Sequence, residues 1–164
     1  MEFTIRSFRP GDEEYVADAH CRIYSEEYRW NDIFTGYAVH IVREFAQKEK
    51  SPREEMWIAE ADGRPIGSIM LCETGDGETG QLRLFLVEKA YRRFGVGRAL
   101  TQALMAKARE VGYKRLILQT ASCLTDAIRM YERLGFRKDA ELPNTDWSLD
   151  GDVVYEVRMS MSLV

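Results

Sequence analysis

Histidine, cysteine and proline are scarce in these 164 residues, at two, three and four. The three cysteines, Cys21, Cys72 and Cys123, lie far apart and form no CxxC pair. That spacing suggests neither a zinc site nor a disulfide framework. Free thiols fit a reducing, cytoplasmic setting. No apolar run approaches the ~20 residues that span a bilayer. Met1 to Arg9 carries no apolar signal segment, so no membrane association is expected. An excess of positive charge is also missing: the formal net charge is −4, which argues against nucleic-acid binding. Neither internal repeats nor low-complexity linkers interrupt the chain. The length suits one compact domain, residues 1–164.

What is present is a hydrophobic fraction of 45%, arranged periodically. Phe3 to Phe8 alternates as an opening strand, which Pro10-Gly11 breaks. Asp12 reads as a helix N-cap with Glu13 and Glu14 in the first turn. Val16, Ala19 and Ile23 mark one face of a helix reaching about Glu27. Phe34, Ala38, Ile41 and Phe45 mark a second helix, ending before Ser51-Pro52. A strand meander follows: Met56 to Glu60, a turn at Asp62-Gly63, Ile66 to Cys72, a glycine-rich loop 74–80, and Gln81 to Val87. Val96, Leu100, Leu104 and Ala108 lie four apart on a helix that Gly112 stops. Lys114 to Thr120 is a strand, and strand–helix–strand over ~30 residues makes a parallel crossover. A helix over 125–134 and strands over 136–142 and 153–161 complete the chain.

One segment carries chemistry. Arg92-Arg93-Phe94-Gly95-Val96-Gly97 joins the third meander strand to the amphipathic helix. The first helical turn leaves N–H groups unpaired, with partial positive charge, and a pyrophosphate there collects several hydrogen bonds. Gly95 and Gly97 remove side chains from the approach, and Arg92, Arg93 and Arg98 add charge. Leu100 stands where a dinucleotide-binding G-x-G-x-x-G needs its last glycine, and the chain has no P-loop. The arginine cluster in an acidic chain suits a small anionic ligand.

Leu84-Phe85-Leu86-Val87 followed by Tyr91 to Leu100 resembles the cofactor motif of the GNAT superfamily of N-acetyltransferases, Q/R-x-x-G-x-G/A. Ala127-Ile128-Arg129-Met130-Tyr131-Glu132-Arg133-Leu134-Gly135-Phe136 resembles that superfamily's A-x-x-x-Y-x-x-x-G-F signature. Both occur in order with the predicted strand between them. The region His20 to Phe45, with Met56 to Glu60 and Gln81 to Leu84, is also similar to GNAT domains often fused behind MarR-type regulators, although only the GNAT part stands here.

The resemblance implies an α/β (α+β) fold: a mixed, mostly antiparallel sheet of six to seven strands, a central splayed parallel pair, and helices on both faces. It implies acetyl-CoA (coenzyme A) as cofactor. The pantetheine arm would lie along Phe85, Leu86 and Val87, and the pyrophosphate on Phe94, Gly95, Val96, Gly97 and Arg98 beside Arg92 and Arg93. Thr120 would flank the splay, with Ala127 and Met130 on the following helix. Tyr131 would be the catalytic acid that protonates the departing thiolate. Two departures stand out. Leu124 replaces an asparagine common in the family, and Gln81 occupies the position that, counted back from Arg92, corresponds to the Glu some members use as base. The acceptor side falls to His20, Tyr24, Glu27, Tyr28, Gln81 and Trp147. His20, Tyr24 and Glu27 share a helical face, and histidine's ordinary pKa of ~6.5 suits a base. Trp147, in the loop 143–152, either walls the pocket or anchors the hairpin or a dimer contact. No residue is expected to bind metal. The expected activity is direct acetyl transfer to a small primary amine, with an acyl-CoA sensor of the same fold as the alternative and a homodimer as an open question.

Overall fold

A computed structural model describes all 164 residues. Seven strands form one sheet in the order β1-β2-β3-β4-β5-β7-β6. They are β1 (Thr4–Ser7), β2 (Glu55–Ala61), β3 (Arg64–Glu73), β4 (Thr79–Val87), β5 (Arg115–Ala121), β6 (Arg137–Asn144) and β7 (Val154–Ser162). The helices are α1 (Asp12–Tyr28), α2 (Asp32–Gln47), α3 (Val96–Glu110) and α4 (Thr125–Leu134). Every neighbouring pair is antiparallel except β4 and β5. The last strand inserts between β5 and β6, so the closing hairpin folds its C-terminal arm inward. The expected α/β fold with a central parallel pair is the fold observed.

Two apolar layers sandwich the sheet. On one face Val96, Leu100, Leu104 and Ala108 of α3 pack on Ile66, Ile69, Leu71 and Leu116. Leu100 and Leu104 are wholly buried, each worth roughly 1.5–3 kcal/mol. On the other face Val16 and Ala17 of α1, with Val42 and Phe45 of α2, cover Met56, Ile58 and Met70. The four-residue spacing legible in α3 is thus the core stripe of that helix. Asp12 differs from its expected role. It is the first residue of α1 rather than its cap, because Gly11 takes the left-handed conformation before it. Its carboxylate instead accepts from Arg9 N and from both terminal nitrogens of Arg6.

The feature that positions the site is where pairing stops. β4 and β5 share four register pairs, Thr79↔Arg115 through Leu82↔Leu118. β5 continues along β7 to Ala121, and β4 continues along β3 to Val87. The two strands therefore part after Leu82 and Leu118, leaving a wedge open at their C-terminal ends.

Candidate active site

A bulge shapes the β4 wall of this wedge. Leu84 has φ 51°, and the β3–β4 register shifts between Ser68 and Met70. One extra residue in β4 reverses its alternation from there on. Leu82 packs into the α3-side core, Leu84 into the α1/α2 side, and Phe85 and Val87 return to the α3 side. Leu86 joins Ala19 and Ile23 of α1. Ser68 Oγ donates to Leu84 O at 2.8 Å, which holds the bulge. Gly67 admits it: a β-carbon at residue 67 would lie 2.7 Å from Leu86 O. Neither Ser68, Gly67 nor the bulge was anticipated from sequence, since a bulge leaves the strand composition unchanged.

The phosphate turn follows. A single 3-10 turn, Lys89–Tyr91, leads into it. Arg93 (φ 69°) and Gly95 (φ 87°) are left-handed, and α3 begins at Val96 with no side-chain cap. No N–H from Arg93 to Arg98 donates to another protein atom; the first that does is Ala99, to Gly95 O. The other three long helices carry acid in their first turn; α3 carries none. Gly97 faces the wedge, where a methyl group would stand 3.0 Å from Phe85 Cζ and 3.6 Å from Met130 Sδ. Successive free N–H groups at an acid-free helix start form an anion cradle, and the missing side chain at 97 keeps it open. The residues present therefore fit a pyrophosphate-bearing cofactor.

The three arginines divide. Arg93 and Arg98 are exposed, and Arg93 meets Asp126 only at 4.0 Å. Arg92 turns away from the cradle. Its Nη atoms donate to both Glu27 oxygens at 2.7 and 3.0 Å, and its Nε donates to Val87 O at 2.9 Å. Next to it, Arg22 makes a two-pronged pair with Glu88, which also accepts from Tyr15 Oη. Helix α1 is thereby clamped to the exit of β4 by two ion pairs. Only half of that arrangement involves residues singled out from sequence.

Tyr131 sits on α4 beside the wedge, 3% exposed, with its ring 6.0 Å from that of Phe85 and 5.8 Å from that of Phe136. Its hydroxyl has no hydrogen-bond partner in the protein. Burial, with Tyr24 nearby, pushes its pKa well above the ordinary phenol value, so the proton stays on at neutral pH. Ala127 and Met130, on the same helix, pack against the α3-side core. Thr120, half-buried, lies in the last stretch of β5, past the point where β4 departs.

On the acceptor side the structure gathers an aromatic wall. Tyr24 stacks on Trp30 at 5.3 Å and 1°. Phe34 meets Tyr24, Trp30 and Trp147 at 4.9, 4.6 and 4.8 Å, and Tyr28 leans on Trp30. This cluster touches Ala121 at the end of β5 and Leu124 before α4. Trp147 reaches it because the loop 145–153 is stapled to the α1–α2 turn. Asn31 N donates to Trp147 O at 2.7 Å, Asn31 Nδ2 to Asp146 O at 2.5 Å, and Leu149 N to Arg29 O at 2.9 Å. Asn31 Oδ1 also caps α2, accepting from Ile33 N. Periodicity assigned Phe34 only to a helix, and no sequence signal singled out Asn31.

Of the other expected acceptor residues, Gln81 stands apart from this wall, and His20 is buried against it with its ring 5.8 Å from that of Tyr24. Gln81 lies in the closed part of the sheet, in register with Cys72 on one side and Ile117 on the other, before the strands part. His20 is buried, and its Nδ1 donates to Val16 O at 2.7 Å, which leaves Nε2 as the acceptor nitrogen. Burial lowers its pKa to about 4, against a smaller opposing effect of the Val16 carbonyl. Its imidazole is neutral at physiological pH and weakly basic. β4 itself carries no carboxylate.

The Acetyltransferase (GNAT) family profile matches residues 17–136. The chain belongs to this family. The uncharacterised N-acetyltransferase YjgM of Escherichia coli is 32% identical over 124 residues, spanning 73% of this chain and 71% of its own length. Human N-acetyltransferase 8 is 29% identical over 89 residues, covering 52% of this chain but only 39% of the human protein. Among solved structures, that of yncA from Salmonella typhimurium, determined with its cofactor acetyl-CoA, superposes with TM-score 0.79 over 100% of this chain and 95% of its own, at 20% identity. A GCN5-related N-acetyltransferase from Kribbella flavida gives 0.80 over 98% of both chains at 22% identity. This chain is thus an N-acetyltransferase of the GNAT family. No helix is long and apolar enough to cross a membrane.

Proposed function

We propose that residues 1–164 act as one catalytic unit that moves the acetyl group of acetyl-CoA directly to the primary amine of a small acceptor. The observation that carries the reading is the coincidence, at one end of the wedge, of the Arg93–Arg98 anion cradle, an unpaired strand edge at β4 and a buried, partnerless phenol. Acetyl-CoA supplies a thioester whose acyl carbon accepts the amine. The free N–H groups of the cradle and the charges of Arg93 and Arg98 hold its pyrophosphate. The β4 edge along Phe85, Leu86 and Val87 offers main-chain partners to an amide-bearing arm. Tyr131 Oη holds a proton for the departing sulfur, and its raised pKa keeps that proton available.

The acceptor wall supports an amine on a flat or apolar body. Tyr24, Tyr28 and Phe34 are partly exposed rings, and the nearby Glu27 charge is neutralised by Arg92. Charge attraction for a polycation is therefore weak at this mouth. With no carboxylate on β4 and a weakly basic His20, the amine enters neutral or passes its proton to solvent. Direct transfer needs no nucleophilic cysteine, and the three thiols stand apart and unbridged, as in a cytoplasmic protein. The sensor alternative is favoured by one observation, the absence of a β4 carboxylate; the partnerless Tyr131 proton favours the enzyme. Thiol release from acetyl-CoA against a panel of amines, beside calorimetric titration of the cofactor, tests the proposal. Amine-dependent release supports it. Cofactor binding without release for any amine class favours the sensor, and no cofactor binding removes both.

A further inference from the structure

The first arginine of a glycine turn between strand and helix is naturally read as a phosphate ligand. In this chain its donors are committed elsewhere. The Arg92 fork is filled by both oxygens of Glu27, and its Nε by the carbonyl of Val87. Glu27 lies in the last turn of α1, one turn beyond Tyr24 and next to Tyr28 of the acceptor wall. Val87 is the last residue of β4, on the edge that lines the wedge. One guanidinium thus ties the acceptor helix to the end of the cofactor strand. Both partners are partly shielded from water: the side chains of Arg92 and Glu27 are 35% and 22% exposed. Arg93 and Arg98, by contrast, leave their charges free beside the cradle.

We infer that Arg92 is a positioning residue rather than a phosphate ligand: it fixes the acceptor wall of α1 against the cofactor edge of β4. The inference rests on the enzymatic reading above for its kinetic arm and is independent of it for its binding and exchange arms. Geometry explains why arginine is required. A planar fork meets a carboxylate on two parallel bonds while its third nitrogen reaches a carbonyl; a lysine ammonium supplies the same charge without that fork. A phosphate contact, in contrast, tolerates lysine.

The test therefore uses Arg92→Lys, Arg92→Gln and Glu27→Gln in the full chain. The expected result is that Arg92→Lys and Glu27→Gln each raise the amine KM by about fivefold or more, and that Arg92→Gln/Glu27→Gln is no worse than Arg92→Gln alone, the signature of one shared interaction. The calorimetric Kd for acetyl-CoA should stay within about threefold of wild type in all of them. Hydrogen exchange should quicken at the end of α1 and at residues 88–92 in both single variants, a readout that needs no turnover. The inference is overturned if Arg92→Lys matches wild type in exchange and amine KM while Arg92→Gln weakens acetyl-CoA by tenfold or more and leaves S-acetylpantetheine, which lacks the pyrophosphate, unaffected. If wild type releases no thiol with any amine, the proposed function fails, and the exchange and cofactor-binding arms still decide the role of Arg92.

Discussion

On the α3 side of the wedge, the surface offered to a ligand is main chain. It consists of six consecutive N–H groups, a glycine where a side chain would intrude, and a strand edge whose neighbour has turned away. On the α1 side the surface is side chain, and its parts come from distant places: Tyr24, Tyr28, Trp30, Phe34 and a tryptophan more than a hundred residues later. Backbone sites demand particular residues at fixed spacing, because only glycine opens the approach and only a helix start points its amides outward. Side-chain sites demand only that suitable surfaces meet. The first kind is shared across a family that uses one cofactor; the second is free to vary with the acceptor.

The comparison can be broken at several points, beginning with the phenol proposed as the acid between the two sides. Tyr131→Phe should lower kcat by about 100-fold while the Kd for acetyl-CoA changes less than about twofold. Because burial raises the Tyr131 pKa, the wild-type kcat should show no loss of an acidic group from neutral pH to at least about pH 9. An unchanged kcat in the variant would remove the phenol from the chemistry. A β-branched side chain at the cradle comes next. Gly97→Val must displace Phe85 and should weaken acetyl-CoA by at least about tenfold, with amine specificity unaltered in whatever turnover remains. Equal affinity in that variant would show that the cradle is not where the pyrophosphate lies.

The acceptor side yields smaller effects on stability. The His20 pKa is lowered on folding, from 6.5 to about 4. The unfolded chain therefore binds the extra proton first as pH falls, and stability drops between those values. By pH 5.5 the loss should be on the order of 1 kcal/mol, and His20→Gln should flatten that part of a stability-against-pH curve measured by denaturant melts. A curve with the same slope in the variant would assign the acid lability to other groups. Asn31→Ala removes a helix cap and a loop tether together. It should cost about 1 kcal/mol and raise the amine KM without touching cofactor affinity. Loss of cofactor affinity instead would show that the strap and the cradle are coupled.

The same division explains what could be read from sequence. Helix α4 falls at 125–134 as expected, and α3 carries its four-residue stripe and stops before Gly112, because apolar spacing and terminal glycines are local signals. The cradle was legible for the same reason. The β4 bulge was not: Leu84 is an ordinary strand residue by composition, and its positive φ follows from a register set by β3. Gln81 lies before that bulge, between Cys72 and Ile117 in the closed part of the sheet, a placement that depends on where β4 and β5 part. The partnership of Arg92 with Glu27 spans 65 residues, and nothing in either neighbourhood announces it. Trp147 reads from sequence as a pocket wall or as an anchor of the hairpin or a dimer contact, and its docking against Trp30 depends on the whole fold.

A strand edge left open for a ligand is also an edge open to another chain. Unpaired strand edges template aggregation unless they are short, charged or covered. Here the exposed edge runs only from Arg83 to Val87, begins with a charged residue, and is bent by the bulge at Leu84. The geometry admits something one strand wide and a few residues long. An occupied wedge completes the sheet, so saturating acetyl-CoA should raise the melting temperature by mass action and slow heat-induced clumping at the same time. The opening proposed to take the cofactor is also a seam where the middle of the sheet is left unpaired.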